Sequence, residues 1–371
     1  MEKLLTEVCN IQYGYPFDSS KFSETEGVPL IRIRDVTRGY SETFTTEEYK
    51  SEYLVYSGDL LIGMDGEFNI ARWGEIPALL NQRVCRLIPS KAIDKGYLYY
   101  YMPTALKEIE AKTPFVTVKH LSAKELNKIK IPLPPLDEQR KIAAVLDKVS
   151  DLIAKRRQQL DKLNELIKAR FVEMFGDPVE NPMSWDKIAL GKRCDIVTGN
   201  TPSRAEPENY GNFIEWIKSD NINTPAVLLT EAQEYLSETG FHKCRFVEAG
   251  SLLMTCIAGS INCIGNVAVT DRRVAFNQQI NAIVPKQDDV LYLYWLMLLS
   301  KPAIHSTINM ALKGILSKGQ LSEMVFPFPP IKLQNQFAAF VEQTEKTKTT
   351  ISKSLEKLET LKKALMQEYF G

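Results

Sequence analysis

Six cysteines and three histidines are the side chains most able to carry metal or redox chemistry by themselves. Cys9, Cys85, Cys194, Cys244, Cys256 and Cys263 form no CxxC pair, and His120, His242 and His305 lie far apart in the chain. No zinc-binding spacing results, and with no secretory leader the cysteines read as reduced core thiols. The triplet Glu110-Ala-Lys112 after Asp94 suggests a nuclease only faintly, because a chain rich in Glu and Lys produces such triplets by chance. An amino-methyltransferase needs Asn or Asp before a Pro-Pro-aromatic loop, whereas the Pro-Pro pairs here follow Leu133 and Phe328. Neither a glycine-rich cofactor motif nor a GxxxxGK[ST] phosphate loop occurs, so no catalytic group, cofactor, metal or motor is expected. The run Tyr97 to Tyr101 could stack bases, but its helical spacing and its match to Tyr292-Leu-Tyr-Trp295 favour core packing.

The elements that would position any site belong to a protein of average globular composition, 44% hydrophobic and 25% charged. The longest apolar run, Val290 to Leu299, is ten residues, whereas a bilayer span takes about 20. Met1 is followed by Glu2, Lys3 and a polar mixture, so a cytoplasmic location without a membrane partner is expected. The 46 basic and 46 acidic side chains cancel, which at first sight argues against a nucleic-acid partner.

A repeat organises the chain. Leu121–Gly176 aligned on Leu316–Gly371, at a constant offset of 195 without a gap, gives 18 identities in 56 positions. They include Pro132, Pro134, Pro135 with Pro327, Pro329, Pro330; Gln139 with Gln334; and a closing Phe-Gly in both copies. Upstream, Gly58-Asp-Leu-Leu61 resembles Gly250-Ser-Leu-Leu253 and Asn81-Gln82 resembles Asn277-Gln278, while Leu5, Cys9, Ile11, Gly14 and Asp35 fall on Leu190, Cys194, Ile196, Gly199 and Asp220 at offset 185. The chain is a tandem duplication, and two copies of one unit imply two equivalent sites.

Each copy divides in two. Residues 1–130 and 177–326 mix short β-like runs, such as Pro29–Arg34 and Asp59–Ile62, with turns and a few helical stretches, an α+β globule. Residues 131–176 and 327–371 open on proline clusters that force an extended entry, followed by a helix of roughly 36 residues, about 55 Å. The apolar seam runs through Ile142, Leu146, Val149, Ile153, Leu160, Leu163 and Ile167 in the first helix, and through Phe337, Val341, Ile351, Leu355, Leu358 and Leu365 in the second. A 3-4 spacing sustained this long predicts a coiled coil between the two helices, antiparallel if the copies are related by a pseudo-two-fold.

The proline-Gln runs Ile131-Pro-Leu-Pro-Pro-Leu-Asp-Glu-Gln139 and Phe326-Pro-Phe-Pro-Pro-Ile-Lys-Leu-Gln334, each before a long Lys/Leu-rich helix, resemble the conserved regions of the specificity subunit of type I restriction-modification systems. The resemblance covers the whole chain. It implies two target-recognition domains that each read one half of a bipartite double-stranded DNA site, and an antiparallel helix pair that sets the spacer. It also implies two methyltransferase (modification) subunits docked on this non-catalytic chain, joined by restriction subunits. The first copy begins almost at once with Leu5 to Gly14, where many family members carry more chain; a missing segment would weaken modification-subunit docking. The alternative is a coiled-coil interaction scaffold that reads no DNA.

Under that reading, base contacts come from Arg, Asn and Gln on exposed loops. The candidates in the first copy are Arg32 and Arg34, taken as one face of a strand, with Asn69, Arg72, Gln82 and Arg83 around an Asp65–Arg72 loop. Their counterparts are Lys218, Asn262, Arg272, Arg273 and Gln278, while Lys119, His120, Lys313 and Lys318 could hold phosphates. Each has an ordinary alternative role as a solvated charge or loop cap, and the set is expected to be enriched in contacts. The globules carry 17 basic and 18 acidic groups (1–130) and 13 and 16 (177–326), the helices 9 and 7 (131–176) and 7 and 5 (327–371). Such a chain should bind DNA weakly alone and need partners to supply phosphate attraction.

Overall fold

The computed structural model describes every residue except 75, 114–118 and 309–313. Two compact units result, one of Met1–Arg157 with Lys353–Gly371, the other of Gln158–Ser352. Each therefore owns one α+β globule, half of the central helix and half of the distal helix.

In the first unit the fully buried run Leu60–Gly63 lies inside an antiparallel sheet of order Cys9–Tyr13, Val84–Pro89, Leu60–Gly63, Asn69–Arg72. A strand buried on both faces needs an unbroken apolar sequence rather than an alternating one. The second unit repeats this sheet as Cys194–Thr198, Ile280–Pro285, Leu252–Thr255, Val267–Val269. A second, mixed sheet stands beside each: Val28–Ile31 runs parallel to Ala78–Leu80 in the first unit, and Tyr210–Ile217 parallel to Val274–Phe276 in the second. Gly14 and Gly199 cross these sheets at matching points, where a Cβ would collide with the carbonyls of Asn81 and Asn277. That close approach explains why the copies share a glycine there.

Short ladders, Glu2–Leu4 with Lys130–Pro132 and Lys187–Ala189 with Val325–Pro327, bring the chain back to where it entered its globule. The prolines then release it into helices Leu136–Phe175 and Ile331–Phe370, 40 residues each. They are longer than the expected 36 because each starts directly after its last proline, a position where the ring's fixed φ suits a helix N-terminus. Gly176, at φ +79°, ends the first.

The helices pair antiparallel. In the first unit Ile142 and Leu146, early in the central helix, share a core with Leu365, Met366, Tyr369 and Phe370, late in the distal one. In the second, Ile167, Phe171 and Phe175 share a core with Phe337 and Val341. Val149 and Ile153 are also buried, while Leu160, Leu163, Ile351, Leu355 and Leu358 are half-buried. The fold is thus α+β in tandem duplication with an antiparallel helix pair, as the sequence predicts.

Two local expectations need correction. The run Pro29–Arg34 is not one strand: Val28–Ile31 is, and Arg32 then caps a helical turn, Ile33–Val36, because Asp35 accepts its backbone N–H at 2.8 Å. Nor is Asp65–Arg72 all loop, since Asn69–Arg72 pairs with Leu60–Gly63 and only residues 65–68 turn. The same cap corrects the alignment: Asn221 accepts the Lys218 N–H at 3.0 Å, so Asp35 corresponds to Asn221 rather than Asp220, and Arg32 and Arg34 correspond to Lys218 and Asp220.

Candidate nucleic-acid interface

Each globule is fastened to its long helix by the same three side chains. Gln139, 1% exposed, accepts the Asp94 N–H at 2.8 Å and donates to the carbonyls of Pro134 (2.8 Å) and Ala92 (3.4 Å). Gln334, 0% exposed, accepts the Asp289 N–H at 2.9 Å and donates to the Pro329 carbonyl (2.9 Å) and the Asp288 carboxylate (2.8 Å). Asp94 and Asp289 cap the helices Lys95–Lys112 and Val290–Leu299, and Tyr97 and Tyr292 each donate at 2.8 Å to Pro132 and Pro327. Phe370 packs edge-on against Tyr97 as Phe175 does against Tyr292. These tyrosines belong to the core, so their π-faces are not open to bases. Burial pushes the thiols of Cys9, Cys85, Cys194 and Cys256 up to about 12, which keeps them protonated.

Upon this shared frame the candidate readers differ between copies. Arg32 and Arg34 both reach a 580 Å³ cleft with Phe22, Ser23, Glu24, Glu42 and Thr43, although they share no strand. Arg72, though exposed, is ion-paired to Asp147 of the central helix at 2.9 Å with its guanidinium 4.5 Å from the centre of the Tyr99 ring. Asn69 sits half-buried on its strand with an unpartnered Oδ1. Arg83 and His120 both bind Asp65, and Lys119 donates to the Glu110 carbonyl at 3.0 Å.

In the second unit Lys218 pairs with Glu234 at 2.5 Å beside the Trp216 ring. Arg272 is clamped by Glu215 and Asp271 and by two carbonyls, those of Leu229 and Thr230, which suits a structural strut. Arg273 pairs with Glu248 at 2.7 Å, and Gln278 accepts from Thr201. Among the described residues, the side chains of Arg32, Gln82, Asn262 and Lys318 make no hydrogen bond or ion pair, and all four are exposed. Lys313 lies outside the described residues.

Sequence reasoning passed over two groups. Arg204 lies 4.4 Å over Tyr210 and pairs with Glu234 at 2.7 Å. The Lys218 hydrogen bond holds the Glu234 carboxyl below its ordinary range; burial opposes this, and Arg204 reinforces it. Asp65 is in the sequence only the first residue of a loop, yet it orients both Arg83 and His120. Nothing in the sequence marks either acid as a partner; Gln139 and Gln334 stand out as identical across the repeat, though their fastening role is seen only in the structure.

The duplicated α+β unit and its helix pair define a tandem class of protein that presents two equivalent candidate sites on one repeated frame. Residues 1–165 and 182–362 match the family described as Type I restriction modification DNA specificity domain, and the chain belongs to that family. The EcoBI specificity subunit of Escherichia coli is 29% identical over 99% of this chain and 84% of its own length. The MjaVIII specificity subunit of Methanocaldococcus jannaschii is 22% identical over 91% and 87%. In fold, the chain resembles the S subunit of M. genitalium, with a TM-score of 0.65 at 15% identity over 100% of this chain and 96% of that one. A chain from structural work on complex assembly and conformational transition of the type I R-M system gives 0.57 at 17% identity. Among the described residues no helix is long and apolar enough to cross a membrane.

Proposed function

We propose that this chain is the DNA-sequence-recognition subunit of a type I restriction-modification complex and does no catalysis itself. The division follows the duplication: residues 1–130 and 177–326 as target-recognition domains, residues 131–176 and 327–371 as the helices that set the spacer. Each domain reads one half of a bipartite double-stranded site. Two modification subunits dock on the helix pair, and restriction subunits join through the complex.

The observation that carries this reading is one frame used twice with different exposed side chains on it. Gln139/Gln334, Asp94/Asp289 and Tyr97/Tyr292 repeat the same fastening bonds, except that the second donation of the glutamine goes to the Ala92 carbonyl in one copy and to the Asp288 carboxylate in the other. At the cap positions, Arg32 and Arg34 give way to Lys218 and Asp220, a reversal of charge at the second place. A common scaffold with divergent exposed groups suits a protein that reads two unlike half-sites.

Replacing residues 1–125 with the corresponding domain of a relative should change one half of the methylated motif and leave the other half. A motif that stays whole, or changes in both halves, refutes the two-reader function. A folded complex that shows no sequence preference returns the protein to an interaction scaffold.

A further inference from the structure

We propose that Asp65, Arg83 and His120 form a reader for one G·C base pair in the first unit, with Arg83 addressing the guanine and His120 the cytosine; this rests on the DNA-reading function above. An antiparallel bridge between Asp65 and His120 and the turn that carries Arg83 bring these residues together. The Asp65 carboxylate, 11% exposed, binds Arg83 through one oxygen and His120 Nδ1 through the other at 2.5 Å. The Arg83 and His120 side chains it holds are 58% and 54% exposed. A nearly buried acid therefore fixes two outward-facing groups side by side.

The second unit shows that the fold does not require this cluster. Met64 donates its N–H to the Arg83 carbonyl and Cys256 donates to that of Gln279; Leu121 donates to Met64 as Leu316 does to Cys256. Asp65 bridges His120 where Ile257 pairs with Ile315. The three positions are thus Ile257, Gln279 and Ile315, with neither ion pair. Arg83 also stands at φ +69°, a left-handed backbone its counterpart Gln279 does not adopt. Such a conformation is unfavourable for a residue with a long side chain and concentrates at functional sites.

The chemistry favours a base edge over a phosphate. Arg83 and Asp65 cancel in charge, so the cluster offers little of the attraction that phosphate binding uses, and what remains is direction. Arg83 spends one terminal nitrogen on Asp65 and keeps its other donors, which suit guanine O6 and N7. In the tautomer that donates Nδ1–H to the carboxylate, the imidazole offers Nε2 as an acceptor, which suits the N4–H2 of the paired cytosine.

The test uses the full chain with its modification subunits, reads the methylated motif by sequencing, and checks the fold of each variant by thermal unfolding. Arg83→Asn, which tolerates the left-handed backbone, and His120→Gln should each relax one specified G·C position by about tenfold or more. The other half-site and the spacer should stay unchanged. Arg83→Lys keeps the charge but not the fork, and should relax the same position. Asp65→Asn frees both groups and adds net positive charge, so it should lower discrimination at that position while raising affinity for unrelated DNA. A merely structural role would lower both. An unchanged motif in the folded Arg83→Asn and His120→Gln variants overturns the proposal. So does a uniform loss of affinity that Arg83→Lys restores, the behaviour of a phosphate contact. A wild-type complex that methylates no bipartite motif overturns the DNA-reading function along with it, whereas a wild-type motif untouched by these variants overturns this proposal alone.

Discussion

Gln139 and Gln334 each satisfy three partners from one buried side chain, and truncating Gln334 leaves the Asp288 carboxylate and the Pro329 carbonyl buried without that donor. Gln334→Ala should cost about 3 kcal/mol, measured by urea unfolding, and a loss below about 0.5 kcal/mol would deny the fastening role. Glu234 gives a pH prediction. Its carboxyl is held below the usual glutamate range by Lys218 and Arg204, so it contributes stability above the unfolded-state value and loses it as pH falls through the depressed folded value. Glu234→Gln should therefore flatten the acid limb of the unfolding curve below about pH 4.5, and an unchanged limb would show that the pair contributes nothing. The positions of the fastening glutamines were legible because they are identical across the repeat, but their role was not, since their partners lie up to 47 residues away. The partners of Arg72 and Arg272 were not: Asp147 and Glu215 lie 75 and 57 residues away, and spacing carries no information about such pairs.

At the scale of elements, the helix pair is unequal along its length. Position 167 is a fully buried Ile among Phe171, Phe175 and Phe337, while its equivalent by the repeat, Lys362, lies half-buried with its ammonium 5.7 Å from the Tyr100 ring. Desolvation lowers the Lys362 pKa, with Arg157 adding to the effect and Asp147 opposing it. Lys362→Met should thus stabilise the first unit at neutral pH, seen as a higher midpoint in thermal unfolding, and the gain should shrink at alkaline pH where the native lysine loses its proton first. A lower midpoint would mean that the cation–ring contact outweighs desolvation. Helix existence, start and seam could be read from the prolines and the 3-4 spacing, since both act locally. The end of the strand at Ile31 could not, because Asp35 caps from within the next turn and the apolar alternation runs on past it.

For the whole molecule, the duplication was visible without coordinates, as repeated identities need no geometry to be counted, whereas the one-residue slip that aligned Asp35 on Asp220 needed the capping bonds to correct it. If the helix pair measures the spacer, one heptad added near Gln158 together with one near Ser352 should alter the spacing between half-sites and leave the half-sites alone. A folded, active insertion with the original spacing would refute the ruler. The division of the chain also fixes an order of manufacture. Gln158–Ser352 is contiguous and can fold as soon as it leaves the ribosome, but the first unit waits for its last piece, Lys353–Gly371. At about 5–20 residues per second, synthesis of the intervening segment leaves the Ile142–Leu146 side of the central helix uncovered for roughly 10–40 s. The half of the protein made first is therefore the half completed last, with apolar surface of its helix exposed in the interval.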